Sequence, residues 1–246
     1  MRVGRRAILS LFFLVSALCY GQNRVVTSPG VESQIIYHSN YTTSYNIGNR
    51  IPNWVAWSIE KDELAKVVSR SGLNFMTDPA AKGQLVNTMD YSKSGYDRGH
   101  MCPAADNRFS QKAMEESFYL TNVCPQNHTL NERTWADLEN ACRGWANHDT
   151  VYIVCGPYFE GRPKTHIGRA RVAVPEGFWK VVLRRFKGRW CAIGFIMPNT
   201  DIQDAFRNYA VTVDEVERLT GHDFFSDLDD SIENAVESAF DLNQWR

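Results

Sequence analysis

After residue 21 the sequence has no run apolar enough to cross a bilayer, which takes about 20 consecutive residues, so no transmembrane anchor is expected in the body of the chain. It has no internal repeat, no low-complexity tract and no Pro/Gly-rich linker, and nothing divides it into an array or a string of domains. Charge of one sign is not in excess: 27 Lys+Arg against 28 Asp+Glu give a net charge of −1. Bulk charge therefore gives no argument for a nucleic-acid or membrane partner, and any such argument must be local. No two cysteines form a Cys-x-x-Cys pair, which argues against a zinc ribbon or a thioredoxin-type redox site.

What is present is an ordinary globular composition, 43% hydrophobic and 22% charged over 246 residues, enough for one sizeable core. Residues 1–21 read as an export signal: Arg2, Arg5 and Arg6 precede the apolar run Ala7 to Leu18, and Gly21 suits cleavage before Gln22. Leu18 before Cys19 is a poor lipoprotein box, so lipidation is the weaker reading. Residues 22–246 are then one domain, secreted or periplasmic, with no membrane association after cleavage. Five cysteines remain, at 102, 124, 142, 155 and 191, either small buried apolar groups or halves of disulfides.

Runs rich in β-branched and aromatic residues predict strands at Gln34 to His38, Trp54 to Ile59, Val151 to Cys155, Trp179 to Phe186 and Trp190 to Ile196. Lys187-Gly188-Arg189 is a hairpin-like break between the last two. Helical patterns cover Ser110 to Tyr119, Leu130 to Ala146, Val213 to Thr220 before Gly221, and Asp230 to Phe240. This irregular interleaving predicts an α+β fold with a mixed, mainly antiparallel sheet. In the helix from Leu130, Thr129 and Glu132 form a capping-box pattern, and Trp135, Leu138, Cys142 and Trp145 make one buried stripe. Asn131 falls within that stripe and Glu139 on its flank. Just upstream, Asp97-Arg98-Gly99-His100 places a histidine in an expected turn, exposed enough to act as a base, with Asp97 beside Arg98 as an expected local ion pair.

Asp97-Arg98-Gly99-His100, the run Phe118-Tyr119-Leu120-Thr121-Asn122-Val123-Cys124-Pro125-Gln126, and Asn131 with Trp135, Leu138 and Glu139 together resemble the DNA/RNA non-specific endonuclease family. The likeness continues through Gly156-Pro157, Phe195-Ile196-Met197-Pro198-Asn199 and Thr220-Gly221-His222-Asp223-Phe224-Phe225, from about Tyr37 to Phe225. The resemblance implies a ββα-metal (His-Me finger) core and Mg²⁺-dependent cleavage of DNA and RNA phosphodiesters, with Mn²⁺ as a substitute ion. It implies His100 as general base, Asn131 as the direct metal ligand, and Glu139 as a residue holding water on the metal. Arg98 would contact phosphate, Asn122 would support His100 or the metal's water shell, and Arg70 would match a further phosphate-contacting arginine. On a continuous helix Asn131 and Glu139 lie about 12 Å apart, too far to share one ion directly. The sequence departs from the family pattern at Cys124 and at Glu132-Arg133; Cys102 and Cys124 flank the catalytic segments, and a disulfide between them would fix both.

Charge is locally polarised: nine Lys/Arg and one acidic residue lie between Arg162 and Arg189, whereas Asp201 to Asp241 holds twelve acidic and two basic residues. With the motifs present, the basic stretch, Arg184 and Arg185 included, reads as a phosphate-tracking surface. The expected function is a secreted Mg²⁺-dependent endonuclease of little sequence preference. The rival is a catalytically inactive nuclease fold that binds nucleic acid, and it does not need His100, Asn131 and Glu139 together. A homodimer is an open possibility that the sequence does not decide.

Overall fold

The computed structural model describes residues 25–246, so the expected export segment and Cys19 lie outside the described residues. In chain order the strands are β1 (Val25–Val26), β2 (Gln34–Tyr37), β3 (Tyr41–Asn46), β4 (Ile51–Ile59), β5 (Asp97–His100), β6 (Val123–Gln126) and β7 (Val151–Tyr158). They continue with β8 (Thr165–Ile167), β9 (Val172–Val174), β10 (Gly177–Phe186), β11 (Arg189–Pro198), β12 (Ala210–Val211) and β13 (Asp223–Phe224). The helices are α1 (Lys61–Leu64), α2 (Gln111–Glu116), α3 (His128–Glu132), α4 (Thr134–Ala146), α5 (Val213–Thr220) and α6 (Asp230–Glu237). No helix among the described residues is long and apolar enough to cross a membrane.

One seven-stranded sheet, ordered β12-β11-β10-β7-β4-β3-β2, organises the chain, and every pair in it is antiparallel. Its central strands are covered on both faces, so they read as nearly continuous apolar runs. Trp54, Val154, Trp179, Val181 and Leu183 point toward α5 and α6. Val55, Trp57, Ile153, Cys155 and Val182 point the other way, where the α4 stripe of Trp135, Leu138, Cys142 and Trp145 packs on them. Each large side chain so buried stabilises the fold by about 1.5–3 kcal/mol. The expected α+β, antiparallel architecture is the one observed.

Local chemistry explains the boundaries. Phe186 pairs directly with Arg189, so the β10–β11 turn is the two residues Lys187 and Gly188, at φ 51° and 77°. Two positive φ angles match the twist of the flanking strands, and in this turn glycine supplies the second. Helix α5 opens on a Thr212–Glu215 capping box and stops at Gly221, whose φ is 69°. The expected helix from Leu130 to Ala146 is two helices. Arg133, at φ −118° and ψ −97°, breaks it, and α3 is capped not by Thr129 but by Asn127, whose Oδ1 accepts from Thr129 N at 2.9 Å and Leu130 N at 3.3 Å. The uniform 12 Å rise expected between Asn131 and Glu139 therefore does not apply.

Two further expectations are corrected. All five described cysteines are buried free thiols, and no disulfide joins Cys102 to Cys124. Cys102 Sγ instead accepts from Asn107 Nδ2 at 3.2 Å, while Cys155 Sγ donates to the Met101 carbonyl at 3.4 Å. The basic stretch is not uniformly exposed either. Lys180 is 0% and Arg184 2% exposed, both on the α4 face of β10. Lys180 Nζ sits 4.3 Å from the Trp135 ring centre, and the Arg184 guanidinium lies 4.9 Å from that of Trp245 while donating to the Gln244 carbonyl. Arg184 thus holds the C-terminal segment to the sheet and is not available to phosphate, whereas Arg185 is exposed.

This contrast predicts different costs. Arg184→Ala should lower the unfolding free energy by about 2–4 kcal/mol, through lost packing and cation–π contact, and Arg185→Ala should change it by less than about 0.5 kcal/mol. Urea denaturation measures both; equal, small effects would return Arg184 to the surface.

Candidate active site

A small antiparallel pair, β5 with β6, carries the sequence motif in the register Asp97↔Gln126, Arg98↔Pro125, Gly99↔Cys124 and His100↔Val123. The chain then turns at Asn127 into α3 and α4, completing a strand–strand–helix unit. Alternation puts Arg98 and His100 on one side of β5 and Asp97 and Gly99 on the other. Gly99 is dictated by close approach: a Cβ there would stand 2.1 Å from Gln126 Oε1.

His100 belongs to a strand and not to a turn, which corrects the expectation of free exposure. Its ring centre lies 4.8 Å from that of Phe75 and 5.3 Å from that of Phe118, and its Nε2 is shut off from solvent with no hydrogen-bond partner. Burial, and secondarily the charge of Arg70, lower its pKa to about 4. The same aromatic wall gathers the arginines: Arg98 lies 5.2 Å from the Phe75 centre and Arg70 5.7 Å from that of Phe118. Three residues from two distant segments, Arg70, Arg98 and His100, are thereby brought together.

Asn122 is 0% exposed. Its Oδ1 accepts from Cys102 N at 2.8 Å, and its Nδ2 donates to the Cys102 and Ser117 carbonyls at 2.8 and 2.9 Å. Both amide protons are spent on backbone, so Asn122 fixes the segment following His100 and has no proton left for water around a metal. Asn199, from the Met197-Pro198-Asn199 run, acts similarly: it accepts from Asn127 N at 2.7 Å and donates to the Pro125 and Pro175 carbonyls, tying the β6–α3 junction to the main sheet. His222 is structural too, accepting from Ser28 N at 2.9 Å, and burial lowers its pKa to about 4.

The residues that sequence reasoning missed are Asp97 and His128. Asp97 does not pair with Arg98. Its Oδ2 accepts from Asn131 Nδ2 at 3.0 Å and meets His128 Nδ1 at 2.9 Å, which raises the His128 pKa. Strand alternation was the available signal, since it sends Asp97 away from Arg98 and toward α3. With its nitrogen on Asp97, the Asn131 amide turns its oxygen to the opposite side. On α4, half-buried Glu139 has its pKa raised to about 7, burial and Asp106 outweighing the opposite pull of Lys180 and Arg143. Behind it Arg143 Nη1 donates to Asp106 Oδ1 at 2.6 Å, and Trp57 donates to the same carboxylate. An oriented amide oxygen and a carboxylate are hard oxygen donors, the set that suits Mg²⁺ or Mn²⁺ over soft metals.

Such a finger, with a desolvated histidine, two arginines and oxygen donors, is the equipment of a phosphodiester hydrolase. The DNA/RNA non-specific endonuclease profile matches residues 20–231. A nuclease of Nostoc sp. is 33% identical over 225 residues, 85% of this chain and 80% of that protein. The mitochondrial nuclease EXOG of Danio rerio is 35% identical over 81% of this chain and 62% of its own length. Bovine mitochondrial endonuclease G is 32% identical over 78% of this chain and 69% of its own. A chain in the crystal structure of the EndoG/EndoGI complex superposes with a TM-score of 0.75 at 31% identity, over 80% of this chain and 87% of that one. The chain belongs to the DNA/RNA non-specific endonuclease family, a family of metal-dependent nucleases.

The electrostatics give a titration prediction. Ring-proton NMR of metal-free protein should place the His100 midpoint near 4, and Arg70→Ala should move it upward. An unfolded histidine binds its proton at about 6.5. Between these values the unfolded chain holds more protons, so His100 and His222 make the fold lose stability as pH falls through that window. A His100 midpoint near the ordinary value, indifferent to Arg70, would contradict the placement.

Proposed function

We propose that the protein is a secreted or periplasmic Mg²⁺-dependent endonuclease that hydrolyses DNA and RNA with little sequence preference. The observation that carries this reading is a histidine held neutral on the same aromatic wall as two arginines, on a strand whose Asp97 also orients an asparagine of the following helix. A binding protein gains nothing from a buried, uncharged histidine next to cations; a hydrolase gains a base that is free to accept a proton at neutral pH. The export-like residues 1–21 support the location.

His100 takes the proton of the attacking water as its oxygen closes on phosphorus and the P–O3′ bond breaks. Since Nε2 is covered, Nδ1 is the accepting nitrogen. Arg98 and Arg70 face the charge that grows on the phosphoryl oxygens, and Asn122 keeps the base in register. Asn131 Oδ1 would hold Mg²⁺, with Glu139 acting through water. When bound, the ion supplies Lewis-acid stabilisation of the phosphate and of the leaving oxygen. Of the basic stretch, Arg162, Arg169, Arg171, Arg185, Lys187 and Arg189 are exposed and offer charge along a bound strand.

His100→Ala should lower turnover by roughly 10²–10⁴-fold with nearly unchanged substrate affinity. Asn131→Ala should raise the Mg²⁺ concentration for half-maximal cleavage and lower the maximum, and Glu139→Gln should do so less. Wild-type turnover in His100→Ala, or an unchanged Mg²⁺ requirement in Asn131→Ala, would remove that residue from the mechanism. Cleavage of random-sequence DNA and RNA should also fall steeply with added NaCl, with a slope that Arg185→Gln flattens. A salt-independent rate would reject the phosphate-tracking surface.

A further inference from the structure

On the sheet face opposite the finger, α5 and α6 bring Asp214, Glu217 and Glu237 together, with one carboxylate oxygen of each within 4.8 Å of the others. No ion pair among the described residues neutralises any of them. Two further carboxylates, Asp223 and Glu233, add to the same field. Glu237 is also the last residue of α6, whose final turn carries no basic side chain, so the partial negative charge of the helix end falls on the same spot.

An independent observation points to a cationic ligand. Glu237 is only 6% exposed, and its Oε1 is cut off from solvent without a hydrogen-bond partner. Glu217 Oε1, by contrast, accepts from Phe224 N at 2.9 Å. A buried carboxylate oxygen normally has a donor, a proton shared with a neighbour, or a cation. No donor reaches this one, and no hydrogen bond joins it to Glu217. Burial and repulsion raise Glu237 to about 9 and Glu217 to about 7, a cost that a cation between them would remove.

We propose that Asp214, Glu217 and Glu237 form a structural Ca²⁺ site that pins α6 to α5, remote from the catalytic finger. The donors are all oxygens, and Ca–O distances of about 2.3–2.6 Å place opposed ligands roughly 5 Å apart, in keeping with the observed spacing. Mg²⁺ needs a tighter octahedron and keeps its waters, so it fits this pocket less well. The site is independent of the catalytic reading. With three carboxylates and water completing the shell, its affinity should fall at about 10⁻⁴–10⁻³ M.

The test uses the mature chain carrying Asn131→Ala, so that the finger contributes no metal binding. Equilibrium dialysis with ⁴⁵Ca²⁺ should find one bound equivalent, and added Ca²⁺ should raise Tm by several degrees, more than equal Mg²⁺ does. Adding Glu237→Gln or Glu217→Gln should abolish the bound equivalent and the Ca²⁺-induced rise. In chelator each should melt at or above the parent temperature, which shows that it folds and that repulsion has been relieved. Absence of binding, or a Ca²⁺ response that survives both substitutions, would overturn the site. So would a Tm indifferent to Ca²⁺ that climbs as pH is lowered toward 6, because the carboxylates would then be sharing a proton.

Discussion

One carboxylate joins the two halves of the candidate site. Asp97 leaves β5 on the face opposite His100, and its Oδ2 is shared by the amide of Asn131 and the ring of His128. That contact fixes the distance between strand and helix and settles which way the Asn131 amide points. The other supports follow from it. Gly99 lets Gln126 close over the strand, Asn122 locks the chain just after His100, and Asn199 anchors the turn into α3. Asn122 and Asn199 are polar side chains spent on backbone, which is why a unit with only two short strands holds its shape.

Around that frame the sheet supplies an electrostatic gradient. The histidine is desolvated against Phe75 and Phe118 with arginines at the rim. Glu139 stands where solvent gives way to the buried charges of Asp106, Arg143 and Lys180. Burying such groups opposes folding, and the two-sided core of the seven-stranded sheet offsets it. Lys180 and Arg184 belong to that core through aromatic rings, although they sit in the middle of a basic stretch.

The central strands, the β10–β11 hairpin and the end of α5 at Gly221 were legible because each rests on local chemistry: β-branched runs and glycines at positive φ. Misreadings arose where tertiary contacts decide. The apolar stripe from Trp135 to Trp145 is real, but it begins after the break at Arg133, and extending it back to Leu130 merged two helices. Thr129 looks like a cap, yet Asn127, two residues earlier, takes the role. The basic stretch suggested a uniformly exposed surface, but β10 is covered on its α4 face and buries Lys180 and Arg184 there, leaving Arg185 exposed. The candidate site was legible only through the family resemblance, because His100, Arg70 and Arg98 meet only after some thirty residues of intervening chain have folded back. Asp97 was misread, because its segment was taken for a turn and only the alternation of a strand sends it away from Arg98.

Whether this finger cuts nucleic acid with a metal is the decisive question. The direct measurement is incubation of the purified chain, lacking residues 1–21, with supercoiled plasmid and with mixed RNA, in Mg²⁺ and in excess chelator. The prediction is nicking, linearisation and fragmentation of the plasmid together with degradation of RNA, at sites without a consensus, stopped by chelator and restored by Mg²⁺. Intact plasmid and RNA at every Mg²⁺ concentration, or cutting that continues in chelator, would contradict it.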